Sequence, residues 1–209
     1  MYRTPARAAA WTLLAGSVIA TIGYLAAFLA NGNSDGRFSG SSWTTLYTLA
    51  LFGDVLVALG LPALLYVQAE RASTLTRIGY AGILVPLLVL NVGEGCIEAF
   101  VKPYLAVHGG SVSKDLPGLA AFEAPALLIM LIGMICLGIA VLRAHILPRW
   151  VGVAFIVVPF LGAAGIPGAA GLVPDYLLFV ALFAVGTRVL RSGHDGESAV
   201  THSPVEVTV

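Results

Sequence analysis

Long apolar stretches separated by short polar ones make up most of this chain. Six of them are apolar enough to predict membrane-crossing helices, because such a helix needs about 20 predominantly apolar residues. We place these helices at about 8–30, 43–68, 78–101, 118–142, 150–164 and 172–190. The pattern therefore predicts an all-α polytopic membrane protein with six transmembrane helices in one bundle.

The polar stretches mark the limits of this bundle. Residues 1–191 contain all six predicted helices, whereas residues 192–209 are polar and are predicted to form a disordered tail. Pro62 is expected to kink the second helix. The Gly/Pro-rich joint between the fifth and sixth helices leaves a re-entrant pair open as an alternative. The first apolar stretch is longer than the usual core of a signal peptide, which favours a retained helix.

Composition supports the membrane assignment and argues against a nucleic-acid partner, a metal site and a cofactor. The chain is 58% hydrophobic and 11% charged, whereas a typical soluble domain has roughly 25% charged residues. Its formal net charge is zero and it has no basic block, so a nucleic-acid partner is not expected. Cys96 and Cys136 are not in metal-ligand spacing, and we predict neither a metal site nor a cofactor.

The basic residues predict the orientation of the bundle. Eight of the eleven Lys and Arg residues fall on one side of the predicted helices, and three fall on the other. The larger group comprises Arg3, Arg7, Arg71, Arg77, Arg143, Arg149, Arg188 and Arg191. Because cytoplasmic loops carry the excess of Lys and Arg, we predict a multi-pass protein of the inner (plasma) membrane with both termini in the cytoplasm.

The most unusual stretch is NVGEGCIEAFVK, residues 91–102, inside the third apolar segment. Asn91, Glu94 and Glu98 are spaced i, i+3 and i+7, so on an α-helix they share one face. Glu98 and Lys102 are spaced i, i+4 with the acid first, which favours an ion pair. A carboxylate at membrane depth costs at least about 2.5 kcal/mol and usually faces a bundle interior or a wet cavity. The spacing predicts an acidic internal site.

Two further acids are predicted at similar depth, in the outer half or near the middle of the membrane. They are Asp54 in the second helix and Glu123 near the start of the fourth. We take Glu94 as the principal catalytic acid and Asp54 or Glu123 as its partner. Structural alternatives exist, since Glu94 could hydrogen-bond a neighbouring helix and Glu123 could complement a helix dipole. Asp175 is assigned to the interfacial start of the last helix.

Other polar and aromatic residues at the same level are candidates for substrate binding. Asn91 and Glu98 share the predicted face of Glu94, and Tyr47 precedes Asp54 by seven residues on one helical face. Two more candidates lie in the loop predicted after the third helix; they are Tyr104 and His108. Tyr104 would equally suit an interface anchor, and a lone loop histidine is usually solvated.

Several carboxyl groups in a partly dry cavity suit acid–base chemistry, with one group protonated and another ionised. A cavity open to the bilayer would take a lipophilic substrate, a lipid or an isoprenoid, and membrane lipids are the expected surroundings. One alternative is a small proton- or cation-coupled transporter. The acids do not extend into the inner half of the membrane, so no continuous path is visible, and six helices in 209 residues would need to form a homo-oligomer. Another is a non-catalytic membrane subunit or sensor. The sequence leaves enzyme and carrier both open.

Two resemblances bear on this choice. In helix number, size and intramembrane acids the chain resembles the integral-membrane terpene cyclases, in which buried acids protonate a prenylated substrate; no motif matches residue by residue. The turn LPRWVG, residues 147–152, resembles a group of small bacterial six-helix membrane proteins to which no common activity is assigned. The second resemblance implies a six-helix bundle and supplies no catalytic residues.

Overall fold

The computed structural model describes residues 3–32, 38–69, 73–110, 118–164 and 172–200. The regular structure in these residues is entirely helical. The α-helices are α1 (Arg3–Asn31), α2 (Ser41–Gly60), α3 (Pro62–Val67), α4 (Thr74–Pro86), α5 (Lys102–Val107), α6 (Leu119–Ala144), α7 (Arg149–Ala163) and α8 (Val173–Val200). Two π-helical segments, Leu87–Glu94 and Ile97–Val101, join α4 to α5 in one continuous helical stretch.

Five helical stretches of the described chain are long and apolar enough to cross a membrane. They are Thr4–Asn31, Ser42–Val67, Thr74–Val107, Glu123–Ala144 and Val173–Ser192. The remaining predicted helix is α7, which has 15 residues and a length of about 22 Å, against roughly 30 Å for a hydrocarbon core. The all-helical prediction is confirmed: the described residues contain five long apolar helical stretches and one short apolar helix, which lies where the short fifth helix was predicted.

Two prolines lie near predicted helix boundaries. The structure agrees with the prediction at one of these boundaries and differs from it at the other. The second predicted helix is interrupted at Leu61, directly before Pro62, where α2 ends and α3 begins. The third helix does not end near residue 101 but continues through Pro103 to Val107. Pro103 directly follows the π-helical segment Ile97–Val101, and its missing N–H leaves a carbonyl of that segment to find a partner outside the helix.

The last helix extends further than the predicted boundary between the helical bundle and the polar tail. Helix α8 continues beyond Arg191 to Val200, into the stretch assigned to a polar tail. Once a helix is nucleated, each added residue costs little, so polar residues can extend it. The remainder of the predicted tail, residues 201–209, lies outside the described residues. The Gly/Pro-rich joint at residues 165–171 also lies outside the described residues, so the re-entrant alternative is not tested.

Small residues hold α1 and α2 unusually close together. A Cβ atom added at Gly53 would lie 2.3 Å from the Ala20 nitrogen, and one at Gly23 would lie 2.6 Å from the Ala50 nitrogen. Backbones can approach this closely only where one side lacks a side chain, which is the packing typical of membrane helices. Because Gly23 and Gly53 directly precede Tyr24 and Asp54, this contact brings those two side chains together.

Antiparallel packing of the other helices completes the bundle around an aliphatic and aromatic core. Gly82 of α4 meets Gly133 of α6, and Gly138 of α6 meets Gly152 of α7. Fully buried core side chains include Leu13, Leu61, Leu137, Phe155, Phe179 and Leu182. Large apolar side chains also cover the outside of the bundle, among them Trp11, Leu29, Leu59, Phe52 and Ile132. An exterior this apolar is expected where lipid, not water, surrounds the helices.

Candidate functional site

The predicted acidic stretch folds as a π-helix rather than as a regular α-helix. Leu87–Glu94 and Ile97–Val101 have the wider π turn, interrupted by a short α-helical step at Gly95 and Cys96. Pro86, which lacks an N–H, lies directly before the first segment. The assumption of α-helical spacing for Asn91, Glu94 and Glu98 was therefore wrong in its geometry. Short π-helical segments inside α-helices occur frequently at functional sites.

The π-helix leaves one carbonyl to be satisfied from outside the helix. In the second segment the Lys102 N–H bonds to the Ile97 carbonyl, five residues back, and not to the Glu98 carbonyl. The next residue is Pro103, which has no N–H to offer. The Glu98 carbonyl instead accepts a 2.9 Å hydrogen bond from the Trp43 indole nitrogen of α2. This bond fixes the wall of the site contributed by α2 against the acidic stretch.

The ion pair predicted from the i, i+4 spacing is confirmed. The Lys102 ammonium donates to the Glu98 carboxylate, whose residue is largely buried. The same ammonium lies over the Phe38 ring at 5.3 Å from its centroid, within the range of a cation–π contact. Lys102 therefore compensates one of the carboxylates of the acidic stretch.

Two adjoining cavities lie at the end of the bundle where α1 ends and α2 begins. Their volumes are about 240 Å³ and about 210 Å³. Four residues line both of them: Tyr24, Tyr47, Glu94 and Asp175. The larger cavity is also lined by Ala27, Phe28, Gly32, Trp43, Glu98 and Leu172, and the smaller by Leu90, Asn91 and Gly95. We refer to both together as the acidic cavity.

Aromatic rings form much of the wall of the acidic cavity. Tyr24 and Tyr47 meet edge to face, with centroids 5.3 Å apart and planes at 85°. Trp43 lies next to Tyr47, with centroids 5.0 Å apart. On its other side Tyr24 stacks on Phe179 of α8 at 6.3 Å. The two perpendicular rings form a corner of the cavity. Because carboxylates also line the cavity, an occupant would meet both aromatic rings and carboxylates.

Asp54 lies behind this wall and is fully buried. Its Oδ2 accepts a 2.5 Å hydrogen bond from the Tyr24 hydroxyl. The Asn91 amide is close enough to interact with the same carboxyl group. Oδ1, however, accepts no hydrogen bond of ordinary geometry from the described residues. Tyr24 and Asn91 both line the cavity, so they connect the deepest acid of the site to its interior.

Four of the residues predicted from the sequence come together here. Asn91, Glu94, Glu98 and Tyr47 line the acidic cavity, and Asp54 reaches it through Tyr24. Whether they act in catalysis or binding remains a prediction. Sequence reasoning passed over Asp175, which was treated as an interfacial helix-start residue. Its position on the same side of the predicted membrane as Glu94 was the signal available for including it.

Three other predicted site residues lie elsewhere. Glu123 is a partly buried residue near the start of α6 and is not among the residues lining either cavity. Tyr104 is 62% exposed, and its ring stacks on that of His108 at 4.1 Å. The His108 Nδ1 lies 2.8 Å from the Tyr104 carbonyl oxygen. These contacts are local to the end of α5, so the structure places Tyr104 and His108 apart from the acidic cavity.

Within the described residues, no group of three or more His, Cys, Asp or Glu side chains is placed to hold a metal ion. Cys96 and Cys136 are both free thiols. Comparisons with protein-family models, curated proteins and solved structures found no match to the chain. The arrangement of its own residues is therefore the basis for any functional proposal.

Proposed function

We propose that the chain is an integral membrane protein that carries out acid–base chemistry on a lipophilic substrate in the acidic cavity. The observation that carries this proposal is that an apolar groove along α1 and α8 adjoins the cavity at one pair of stacked rings. Tyr24 lines the cavity, and its stacking partner Phe179 lines the groove. A polar head and an apolar tail of one molecule could thus occupy the two regions together.

The groove has the character of a tail-binding site. Its volume is about 220 Å³. It is lined by Ser17, Val18, Thr21, Ile22, Phe179, Val180 and Phe183. The hydroxyls of Ser17 and Thr21 donate to carbonyls of their own helix, at 2.8 Å and 2.7 Å, so they present little polarity to an occupant. Val18, Ile22, Val180 and Phe183 are large apolar side chains on the exposed side of the bundle, which gives a lipid access from the bilayer.

The acids of the site can be given roles by position. Glu94 lines both cavities and is an exposed side chain, so it is the group best placed to exchange a proton with a bound substrate. Asp54 acts from behind the wall through Tyr24, because a hydroxyl can donate one hydrogen bond while accepting another. Glu98 is held in an ion pair with Lys102 at the edge of the cavity. Such a set can pair a proton donor with an anionic stabiliser of developing positive charge.

The predicted topology places this site in the outer half of the membrane. The acidic cavity lies where α1 ends and α2 begins, opposite the end that collects eight of the eleven Lys and Arg residues. With cytoplasmic termini, that end faces away from the cytoplasm. The proposed substrate would then enter from the bilayer through the groove and meet the acids near the outer surface.

A coupled transporter remains the alternative, and the buried Asp54–Tyr24 pair favours it. Carboxyl groups inside transmembrane helices mark proton relays in pumps and transporters, and Asp54 is fully buried with a hydrogen bond from Tyr24. The two functions differ in what Glu94→Gln should do. An acid–base enzyme should lose turnover, whereas a carrier should keep substrate exchange and lose its dependence on the proton gradient.

The experiment compares wild type and Glu94→Gln in lipid nanodiscs supplied with a total lipid extract. Mass spectrometry follows turnover, and proteoliposomes follow proton-driven uptake. Glu197→Gln, in the polar end of α8, makes the same charge change away from the cavity and serves as the control. We expect Glu94→Gln to abolish turnover while its thermal stability stays close to wild type. A folded Glu94→Gln protein with unchanged turnover would exclude Glu94 as the principal acid.

A further inference from the structure

Asp54 is a fully buried carboxyl group without a basic partner among the described residues. Two uncharged polar groups lie beside it: the Tyr24 hydroxyl donates to Oδ2 at 2.5 Å, and the Asn91 amide is close enough to interact. Oδ1 accepts no hydrogen bond of ordinary geometry from the part of the chain that the structure describes. A buried carboxylate without a counter-ion is far more costly than a neutral carboxyl group. The surroundings of Asp54 therefore favour its protonated form.

The titratable groups that face Asp54 do not change this balance. They interact with it electrostatically from three helices and are Tyr24 of α1, Tyr47 of α2 and Asp175 of α8. Asn91, from the π-helical stretch, has no charge. None of these four groups supplies the positive charge that an ionised Asp54 would need. A metal ion would require several oxygen ligands, whereas a proton needs only the carboxyl group itself.

An apolar plug closes the side of Asp54 that faces away from the acidic cavity. Ser17 lies four residues from Leu13 on α1, and its hydroxyl donates to the Leu13 carbonyl of its own helix at 2.8 Å. The plug itself consists of six fully buried aliphatic side chains from α1, the α2–α3 stretch and α8, namely Leu13, Val57, Leu61, Leu64, Leu182 and Val185. None of these side chains can accept or donate a proton.

Beyond the plug, the next buried polar side chain along the α2–α3 stretch is Gln68. It lies about 20 Å from Asp54 along the helix axis, at 1.5 Å per residue. Gln68 accepts a hydrogen bond from Thr76, near the opposite end of the bundle. Water inside a protein is held by polar partners, and the side chains of the plug offer none. The described residues therefore connect Asp54 to the acidic cavity and provide no polar path through the plug.

We infer that Asp54 is a proton-binding site that exchanges its proton with the acidic cavity and not with the opposite end of the bundle. Tyr24 lines the cavity and contacts Asp54, so its hydroxyl provides the path. On loading, this hydroxyl gives its proton to Oδ2 and takes another from water that enters the cavity; unloading is the reverse. The proton site stands without a substrate, but its use as the proton supply of the acidic cavity rests on the proposed function.

Infrared spectroscopy can follow this proton, because a protonated carboxyl group has a C=O stretching band that a carboxylate lacks. The band of Asp54 is identified by its loss in Asp54→Asn. The protein, with a C-terminal affinity tag, is reconstituted at low density into sealed proteoliposomes, and the affinity resin separates vesicles with the tag outside from the rest. Thiol labelling of Val107→Cys, in a background lacking both native cysteines, identifies the vesicles in which the acidic-cavity end faces outward.

We expect the Asp54 band to disappear when the outer pH is raised at constant inner pH, but only in vesicles with Val107 outside. The other population should lose the band only after gramicidin equilibrates the two pH values. Tyr24→Phe should shift the band, since it removes the hydrogen bond to Asp54. Tyr80→Phe makes the same change on α4, outside the residues that line the cavities, and should leave the band unchanged. Thermal stability of each variant shows that the fold is intact.

The absence of any protonated-carboxyl band that Asp54→Asn removes would overturn the inference. So would a band that follows the outer pH in both populations, in neither, or only with Val107 inside. Its failure is distinct from failure of the proposed function. Loss of turnover in Glu94→Gln with an Asp54 band that responds from both sides would keep the acid–base function and remove the one-sided proton site. A one-sided band with unchanged turnover in Glu94→Gln would do the reverse.

Discussion

The close contact between α1 and α2 makes Gly53→Ala an informative perturbation. The added Cβ would lie 2.3 Å from the Ala20 nitrogen and 2.7 Å from its Cα. Both atoms belong to the backbone and cannot rotate away, so the helices must separate by about 1 Å to restore ordinary contact. Overpacking of this kind costs about 1–3 kcal/mol. The better helix propensity of Ala offsets up to about 1 kcal/mol of that.

The same separation should reach the acidic site. Asp54 follows Gly53 directly, and its hydrogen bond from Tyr24 measures 2.5 Å. An increase of about 1 Å would place the two oxygens beyond the usual range of 2.5–3.0 Å for a hydroxyl donor. The bond should then contribute little, so Tyr24→Phe should cost less in the Gly53→Ala background than in wild type. Non-additivity of this kind is expected for residues in contact.

The assay is equilibrium unfolding in mixed micelles with increasing denaturing detergent. Gly162→Ala is the matched control, because a Cβ at Gly162 in α7 would meet nothing within 4 Å. We expect Gly53→Ala to lower the free energy of unfolding by about 1–2 kcal/mol and Gly162→Ala to leave it unchanged or raised. Equal stability of Gly53→Ala and Gly162→Ala would refute the packing argument. Full additivity with Tyr24→Phe would refute its link to the site.

Two more predictions follow from single contacts and from the topology. Tyr24→Phe removes the donor to the buried Asp54 carboxyl and should lower the free energy of unfolding by about 1–3 kcal/mol. In the same mixed micelles, the double variant Tyr24→Phe/Asp54→Asn should lose less stability than the sum of the two single changes. In a background lacking both native cysteines, Val107→Cys should react with a membrane-impermeant thiol reagent from outside intact cells, and Thr74→Cys only after lysis. Labelling of Thr74→Cys alone from outside would reverse the proposed orientation.

Much of the helical architecture follows from the sequence by itself. Apolar runs of membrane length predict helices because a bilayer offers no partner for a free backbone N–H or carbonyl. The Glu98–Lys102 pair follows from local spacing, and the break at Leu61 follows from Pro62. The clustering of Asn91 and Glu94 could also be anticipated, because they are close in sequence and share one helical stretch.

The composition of the site was decided only by tertiary structure. The π turn after Pro86 changes the direction of every side chain in the acidic stretch, and no residue pattern states how wide a turn will be. Tyr24 meets Asp54 because glycines allow α1 and α2 to touch. The sequence favoured Glu123 over Asp175 as a site residue, but helix packing places Asp175 and not Glu123 among the residues that line the acidic cavity. The chain fixes how deep a residue lies along its own helix, whereas packing between helices determines which neighbour it faces.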